Sequence, residues 1–220
     1  MAFLNFISGI HQATARNYLL RVTECDKAEA SKIAKEFGKD YFDGDRKHGY
    51  GGYRYDGRWV PFAKKLIEHY NLKPGDRVLD IGCGKGFLVH DLRTELPGLE
   101  VTGVDISAYA IENSMEPVKE FLLVGNATKL PFESRQFDLV LAINTLHNLQ
   151  LPELEQAFKE IERVGKNNKF IVVDGYRNER EKMNLMYWQL TCECFYTPQE
   201  WEWIFQKTGY SGDYDLVCFE

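Results

Sequence analysis

The chain has 220 residues, a formal net charge of −6 and a hydrophobic fraction of 44%. This length suits one domain with at most a small appendage, and the apolar fraction supplies a sizeable core. The acidic balance disfavours sequence-neutral nucleic-acid binding, and no apolar run approaches the length of a membrane span. Met1 to Ile10 is apolar but has no basic leading region and no cleavage site, so no signal peptide is expected. Residues 1–40 read as helical, with Ala28, Ile33, Ala34 and Phe37 at rough three-to-four spacing among charges. Residues 41–59 fit no helix or strand period and crowd glycines, tyrosines and arginines together. Glycine gives mobility, aromatics give flat apolar walls, and Arg54 and Arg58 can grip a carboxylate or phosphate. The segment reads as a lid over a ligand site or as a solvated loop pinned by its aromatics.

A helix is expected from Val60, with Pro61 in its first turn and Phe62, Leu66, Ile67 and Tyr70 inward, then a turn at 73–76. Arg77 to Leu92 reads RVLDIGCGKGFLVHDL. A short apolar strand ends on Asp80, Gly82, Gly84 and Gly86 alternate, and Phe87, Leu88 and Leu92 begin a helical spacing. Glycine there lets a ligand lie against bare backbone and face the free N–H groups of the helix start. The dinucleotide fingerprint would need a third glycine at position 87, which is Phe87. The acid two residues before the first glycine would repel a pyrophosphate and attract an ammonium or sulfonium cation. The pattern D-x-G-x-G-x-G resembles motif I of the class I S-adenosylmethionine-dependent methyltransferases.

The resemblance implies S-adenosyl-L-methionine as cofactor, held at Asp80, Gly82, Cys83, Gly84 and Gly86. It also implies that an N-terminal helical segment covers the mouth of the site, where the alternative is a packing helix. A second strand, Glu100 to Val104, ends on Asp105, one strand–helix–strand unit beyond Asp80. Adjacent parallel strands end on one edge, so Asp105 lies beside the glycine turn and can accept both ribose hydroxyls, with Ile106 covering an adenine face. Asp105 alone could equally cap the helix that follows. A third strand at 121–124 leads to Gly125, Asn126 and Ala127, where the resemblance places an adenine contact. A fourth runs to Ile143 and ends in Asn144-Thr145-Leu146-His147-Asn148, over the middle of the edge. Asn144 is assigned to the cofactor's methionine part or the substrate. His147 is either a proton acceptor or a hydrogen-bonded packing residue.

An amphipathic helix spans 151–164, and a fifth strand at 169–173 ends in Asp174-Gly175-Tyr176-Arg177. Arg177 adds positive charge near the active edge. Two helices follow between 178 and 208, with Thr197 capping the second, and Trp188 walls the substrate pocket. A last strand covers 214–219 at the sheet edge. The resembled family ends with a two-strand hairpin, so this edge is either open or covered by a second chain, as in a homodimer. The five cysteines have irregular spacing and fit reduced thiols in the cytoplasm, with no metal expected.

The expected architecture is an α/β, doubly wound, mostly parallel sheet of six to seven strands between two helical layers. It comprises an N-terminal helical segment and lid at 1–59 and a methyltransferase domain at 60–220. The implied reaction moves a methyl group to an O or N nucleophile of a small, anionic metabolite. Donor and acceptor are aligned and water is excluded, with His147 or Tyr55 taking a proton where needed. Arg54, Arg58, Arg177 and Trp188 are assigned to the substrate, although Arg58 can instead hold the cofactor carboxylate. The competing readings are a binding protein that retains the cofactor without turnover, and a methyltransferase acting on protein or RNA.

Overall fold

The computed structural model describes residues 1–12 and 16–220. The helical expectation for 13–15 lies outside the described residues. Elsewhere the N-terminal forty residues divide into short pieces: α1 (Ser8–Gln12), α2 (Leu20–Thr23), α3 (Lys27–Ala34) and α4 (Lys39–Phe42). The helical reading of this segment thus holds only in short pieces. Asp26 starts α3 by accepting the N–H groups of Ala28 and Glu29. Phe37 adopts a left-handed φ of 48° just past the end of α3, which turns the chain away.

The alternating core follows. In chain order it comprises α5 (Val60–His69), β1 (Arg77–Ile81), α6 (Phe87–Glu95), β2 (Glu100–Asp105), α7 (Ala108–Glu112), β3 (Leu122–Val124) and β4 (Phe137–Ile143). Then come α8 (Leu151–Val164), β5 (Gly165–Gly175), α9 (Glu179–Trp188), α10 (Pro198–Thr208) and β6 (Asp213–Cys218). The six strands form one sheet in the order β3-β2-β1-β4-β5-β6, and every pairing is parallel. Burial on both faces explains the continuous apolar strand runs. Val78, Leu139, Leu141 and Phe170 pack with Phe62 and Leu66 of α5 and Leu88 and Leu92 of α6. The alternate residues Leu79, Val140, Ala142 and Ile171 pack on the other face with Phe158 and Ile161 of α8 and Trp201 and Phe205 of α10. The result is a three-layer αβα sandwich.

The start of β6 at the far edge is covered from within the chain. Residues 2–4 run parallel along β6: Leu4 N–H donates to Tyr214 O at 2.8 Å and Tyr214 N–H to Ala2 O at 3.0 Å. The buried Asp215 carboxylate accepts the N–H groups of Phe6 and Ile7 at 2.7 and 2.8 Å, which fixes this segment in register. The crossover through α10 makes β6 parallel to β5, so the described residues form no terminal hairpin.

Candidate active site

The strand order reverses between β1 and β4, and in such sheets the crevice beyond the strand ends is the place for a ligand. Here the β1 turn is stitched to β2. Val104 O accepts the N–H groups of Gly82 at 2.7 Å and Cys83 at 3.2 Å, and Asp105 Oδ2 accepts that of Gly84 at 2.7 Å. Gly82 has φ 79°, and a Cβ on it would lie 1.9 Å from Thr145 Oγ1. Thr145 in turn donates to Ile81 O at 3.1 Å, locking the end of β4 onto the turn. Asn144, just before it, holds a left-handed φ of 54°, a cost typical of residues aimed at a site.

These elements enclose a cavity of about 160 Å³ lined by Asp80, Gly82, Cys83, Gly84, Asp105, Ile106, Asn126, Ala127 and Asn144. Asp80 and Asp105 lie on the same edge, 3% and 8% exposed, and among the described residues no lysine or arginine lines the cavity. The Asp80 carboxylate accepts no hydrogen bond among the described residues. Burial, then the charge of Asp105, pushes its pKa up to about 7. Asp105 is also raised by burial, against the hydrogen bonds it accepts from Ser107 and Gly84. The helix cap of α7 is Ser107, whose Oγ accepts the N–H of Ala110, so Asp105 is not spent on capping. Burial, then Asp80 and Asp105, raises the Cys83 thiol well above its ordinary range, so it stays protonated wall. An orphaned buried carboxylate beside a bare-backbone turn fits a ligand that brings positive charge.

The segment 41–59 closes this cavity. Tyr53 stacks on Phe87 at 4.6 Å, and its ring edge lies 3.3 Å from where a Cβ on Gly84 would project. Asp43 anchors the segment by accepting from Lys85 Nζ at 2.6 Å and Tyr109 Oη at 2.8 Å. Tyr50, Tyr53, Trp59, Asn144 and Asn148 also line a second cavity of about 490 Å³, so the two adjoin. Asn148 Oδ1 is buried there with no hydrogen-bond partner among the described residues. Five arginines line the second cavity (Arg16, Arg21, Arg46, Arg54 and Arg58) against the carboxylates of Asp56 and Asp174.

The profile of a methyltransferase-domain family matches residues 72–209. The chain belongs to the class I S-adenosylmethionine-dependent methyltransferases. It is 32% identical over 178 residues to sterol methyltransferase-like 3 of Botryococcus braunii, covering 70% of this chain and 44% of that protein. It is 27% identical over 201 residues to the demethylmenaquinone methyltransferase of Staphylococcus aureus, covering 84% of this chain and 79% of that one. The chain thus spans less than half the length of that sterol methyltransferase relative. A methyltransferase solved in complex with the Haloferax volcanii Trm112 methyltransferase activator superposes with a TM-score of 0.58 at 19% identity, over 89% of this chain and 77% of that one. The YcgJ protein of Bacillus subtilis superposes at 0.55 and 20% identity over 66% of each chain. Both share the fold.

Three expected residues of this methyltransferase lie elsewhere or act differently. Asp174 N–H donates to His147 Nδ1 at 3.0 Å, which puts the ring proton on Nε2, 3.5 Å from Asp174 Oδ2. Burial lowers the His147 pKa against the pull of Asp174, so the ring is neutral with both nitrogens engaged. It is therefore not set up as a free base. Tyr55 lines neither cavity; its hydroxyl donates to Asp91 Oδ1 at 2.6 Å, and that bond is the first cause of a pKa pushed up to about 12. Arg177 also lines neither cavity and is held between Glu181 and Glu220 at 2.6 Å each. Arg54 and Arg58 do border the second cavity, Arg58 as a fork on Asp56. Trp188 lines it too.

Neither the contact between Asp174 and Gln189 nor the three arginines Arg16, Arg21 and Arg46 was foreseen from the sequence. Asp174 is 1% exposed at the end of β5, and Gln189 Nε2 donates to its Oδ2. Its signal was visible: like Asp80 and Asp105, it is an acid closing an apolar strand.

Proposed function

We propose that the methyltransferase binds S-adenosyl-L-methionine in the first cavity and transfers its methyl group to an O or N nucleophile of a small anionic molecule in the second. The observation that carries this reading is Asp80, a buried carboxylate that, among the described residues, has no hydrogen-bond donor and shares its cavity with no charge but the acidic Asp105. The cofactor's sulfonium supplies an already reactive methyl group. Asp80 offers the compensating negative charge, the 82–86 turn the bare backbone, Asp105 the ribose acceptor, Ile106 an apolar cover, and Asn126 a donor and acceptor for adenine. Tyr50, Tyr53 and Trp59 exclude water at the junction, and Asn144 and Asn148 position the acceptor.

An amine must arrive unprotonated, and a hydroxyl must give up its proton. Asp174 is the group placed for that. Both contacts from Gln189 and His147 fall on Oδ2, leaving Oδ1 without a partner among the described residues. Burial raises its pKa, which makes it a better proton acceptor than an exposed carboxylate. His147 then acts as a positioning residue. The apolar part of the second cavity, including Ile7, Ile10, Val217 and Phe219, suits a lipophilic body, in keeping with relatives named for sterols and demethylmenaquinone.

Calorimetric titration with S-adenosylhomocysteine tests the cofactor half: saturable heat is expected, and no heat at millimolar ligand refutes it. Incubation with methyl-labelled cofactor and a metabolite extract, followed by mass spectrometry of the labelled product, tests the transfer. Label appearing only on protein or RNA would overturn the small-molecule assignment.

A further inference from the structure

The second cavity carries more positive charge than a single carboxylate can balance. Five arginines face two carboxylates among its described lining residues, and one of those carboxylates, Asp56, is already forked by Arg58. The guanidinium carbons of Arg16, Arg21 and Arg46 stand 5.4, 5.0 and 5.2 Å from the ring centroid of the same Trp188. Trp188 thus gathers three like charges into one collar and gives each a π face. Arg21 and Arg46 have no ion-pair partner among the described residues. Their hydrogen bonds among the described residues go to backbone carbonyls: Arg21 to Trp188 O and Arg46 O, and Arg46 to Gly49 O. Those bonds fix the guanidinium planes without neutralising them. Burial, and for Arg21 the charge of Arg46, holds both below the ordinary arginine range. None of the three lines the first cavity, so the collar is not arranged around the cofactor.

We propose that this collar is a subsite for a phosphate-class dianion, so that the methyl acceptor is a phosphomonoester with an apolar body. Planar guanidinium forks match phosphate oxygens, and two negative charges offset most of the cavity's excess of three where one would not. The apolar lining beside it, Ile7, Ile10, Val217 and Phe219, takes the rest of the molecule. Asp174, on the same cavity and within electrostatic reach of Arg16, repels a misplaced phosphate and leaves the collar as its favoured seat. The inference rests on the methyl-transfer reading for the word acceptor, but not for the binding itself.

The test uses the full chain and calorimetry with phenyl phosphate and benzoate, which share a ring and differ in charge. Phenyl phosphate is expected to bind at least about tenfold tighter than benzoate at pH 8, with the preference shrinking in salt. Arg21→Gln and Arg46→Gln should each weaken phenyl phosphate by roughly tenfold or more, and Arg46→Lys should fall between, because charge survives and the fork does not. Arg180→Gln, an exposed charge on neither cavity, should change nothing. S-adenosylhomocysteine affinity should be equal in all of these. Equal affinity of the wild type for the two aromatic anions overturns the proposal. So does a parallel loss of phenyl phosphate and S-adenosylhomocysteine in a variant that melts like the wild type, which would put the arginines on the cofactor. If the glutamine variants do not fold, the wild-type preference and its salt dependence decide. Failure of S-adenosylhomocysteine to bind the wild type would refute the methyl-transfer reading and leave the phosphate preference still readable.

Discussion

Among the described residues the first cavity holds two buried carboxylates and no cationic side chain, while the second holds five arginines and one carboxylate that is not already forked by one of them. They share an aromatic and amide wall, yet they are built differently. The first is made of strand ends and the turn after β1, each tied by backbone hydrogen bonds to its neighbour. The second is assembled from the N-terminal segments, the loop at 46–58, the end of β5 and residues 188–191. A cationic donor and an anionic acceptor are thereby sorted into adjoining rooms, and each is repelled by the wrong one. Precision sits where the scaffold is regular, and selectivity where the chain is irregular.

The sharpest way to break the first cavity is Gly82→Ala. The new methyl must occupy the space of Thr145 Oγ1 at a positive φ, so a loss of roughly 2–5 kcal/mol is expected. Urea unfolding should show it, and calorimetry should show S-adenosylhomocysteine binding lost in whatever folds. Phenyl phosphate binding should persist in that folded fraction if the two cavities are built independently.

Asp80→Asn is next, and its signs oppose each other. The folded pKa of about 7 lies above the ordinary value of 3.8, so the folded state holds the extra proton between them. Stability from this group is therefore full at low pH and is lost as pH rises through about 4 to 7. Removing the charge should make the variant more stable than the wild type above pH 7, by on the order of 2–4 kcal/mol, with the gap closing near pH 4. The same change should weaken S-adenosylmethionine by about ten- to a hundredfold at pH 8. It should also flatten the rise in wild-type affinity as pH climbs through 7. A variant that is less stable at pH 8, or that keeps its cofactor affinity, would remove Asp80 from the role given to it.

Asp174→Asn probes the wall between the rooms. It keeps the shape and should lower kcat by at least about a hundredfold for a hydroxyl acceptor, with S-adenosylhomocysteine affinity unchanged. An alkaline rescue of the rate would mean that solvent can take the proton instead. An unchanged kcat would show that the acceptor needs no base.

The same contrast explains what could be read from the residues. Asp80, the glycine turn and Asp105 are a contiguous strand–turn–helix–strand text, and parallel pairing then dictates that both acids share an edge. The α8 boundaries were equally readable, because Leu154, Phe158 and Ile161 keep one helical period between Gln150 and Gly165. Arg16, Arg21 and Arg46 carry no such text. They meet on Trp188, more than 140 positions away along the chain, only after α9 has docked. His147 was legible as a strand-end histidine, but its role depends on the Asp174 N–H, which belongs to the neighbouring strand. The pairing of Ala2 to Leu4 with the edge was not legible, because these residues look like an apolar start until β6 offers them a partner.

That edge gives the gentlest probe of the comparison. Leu4→Pro deletes the N–H that donates to Tyr214 O and leaves the anchors of Phe6 and Ile7 on the buried Asp215. The direct cost should be about 1 kcal/mol, seen as a small fall in the unfolding midpoint. Ile7 and Ile10 wall the second cavity alone, so loosening this strand should weaken phenyl phosphate by a factor of roughly two to five while S-adenosylhomocysteine affinity holds. The freed length of β6 should also raise self-association in sedimentation runs at high concentration, since a bare parallel edge is a template for another strand. If both ligands weaken equally, the N-terminal strand supports the whole sheet rather than one room of it, and the independence argued above fails.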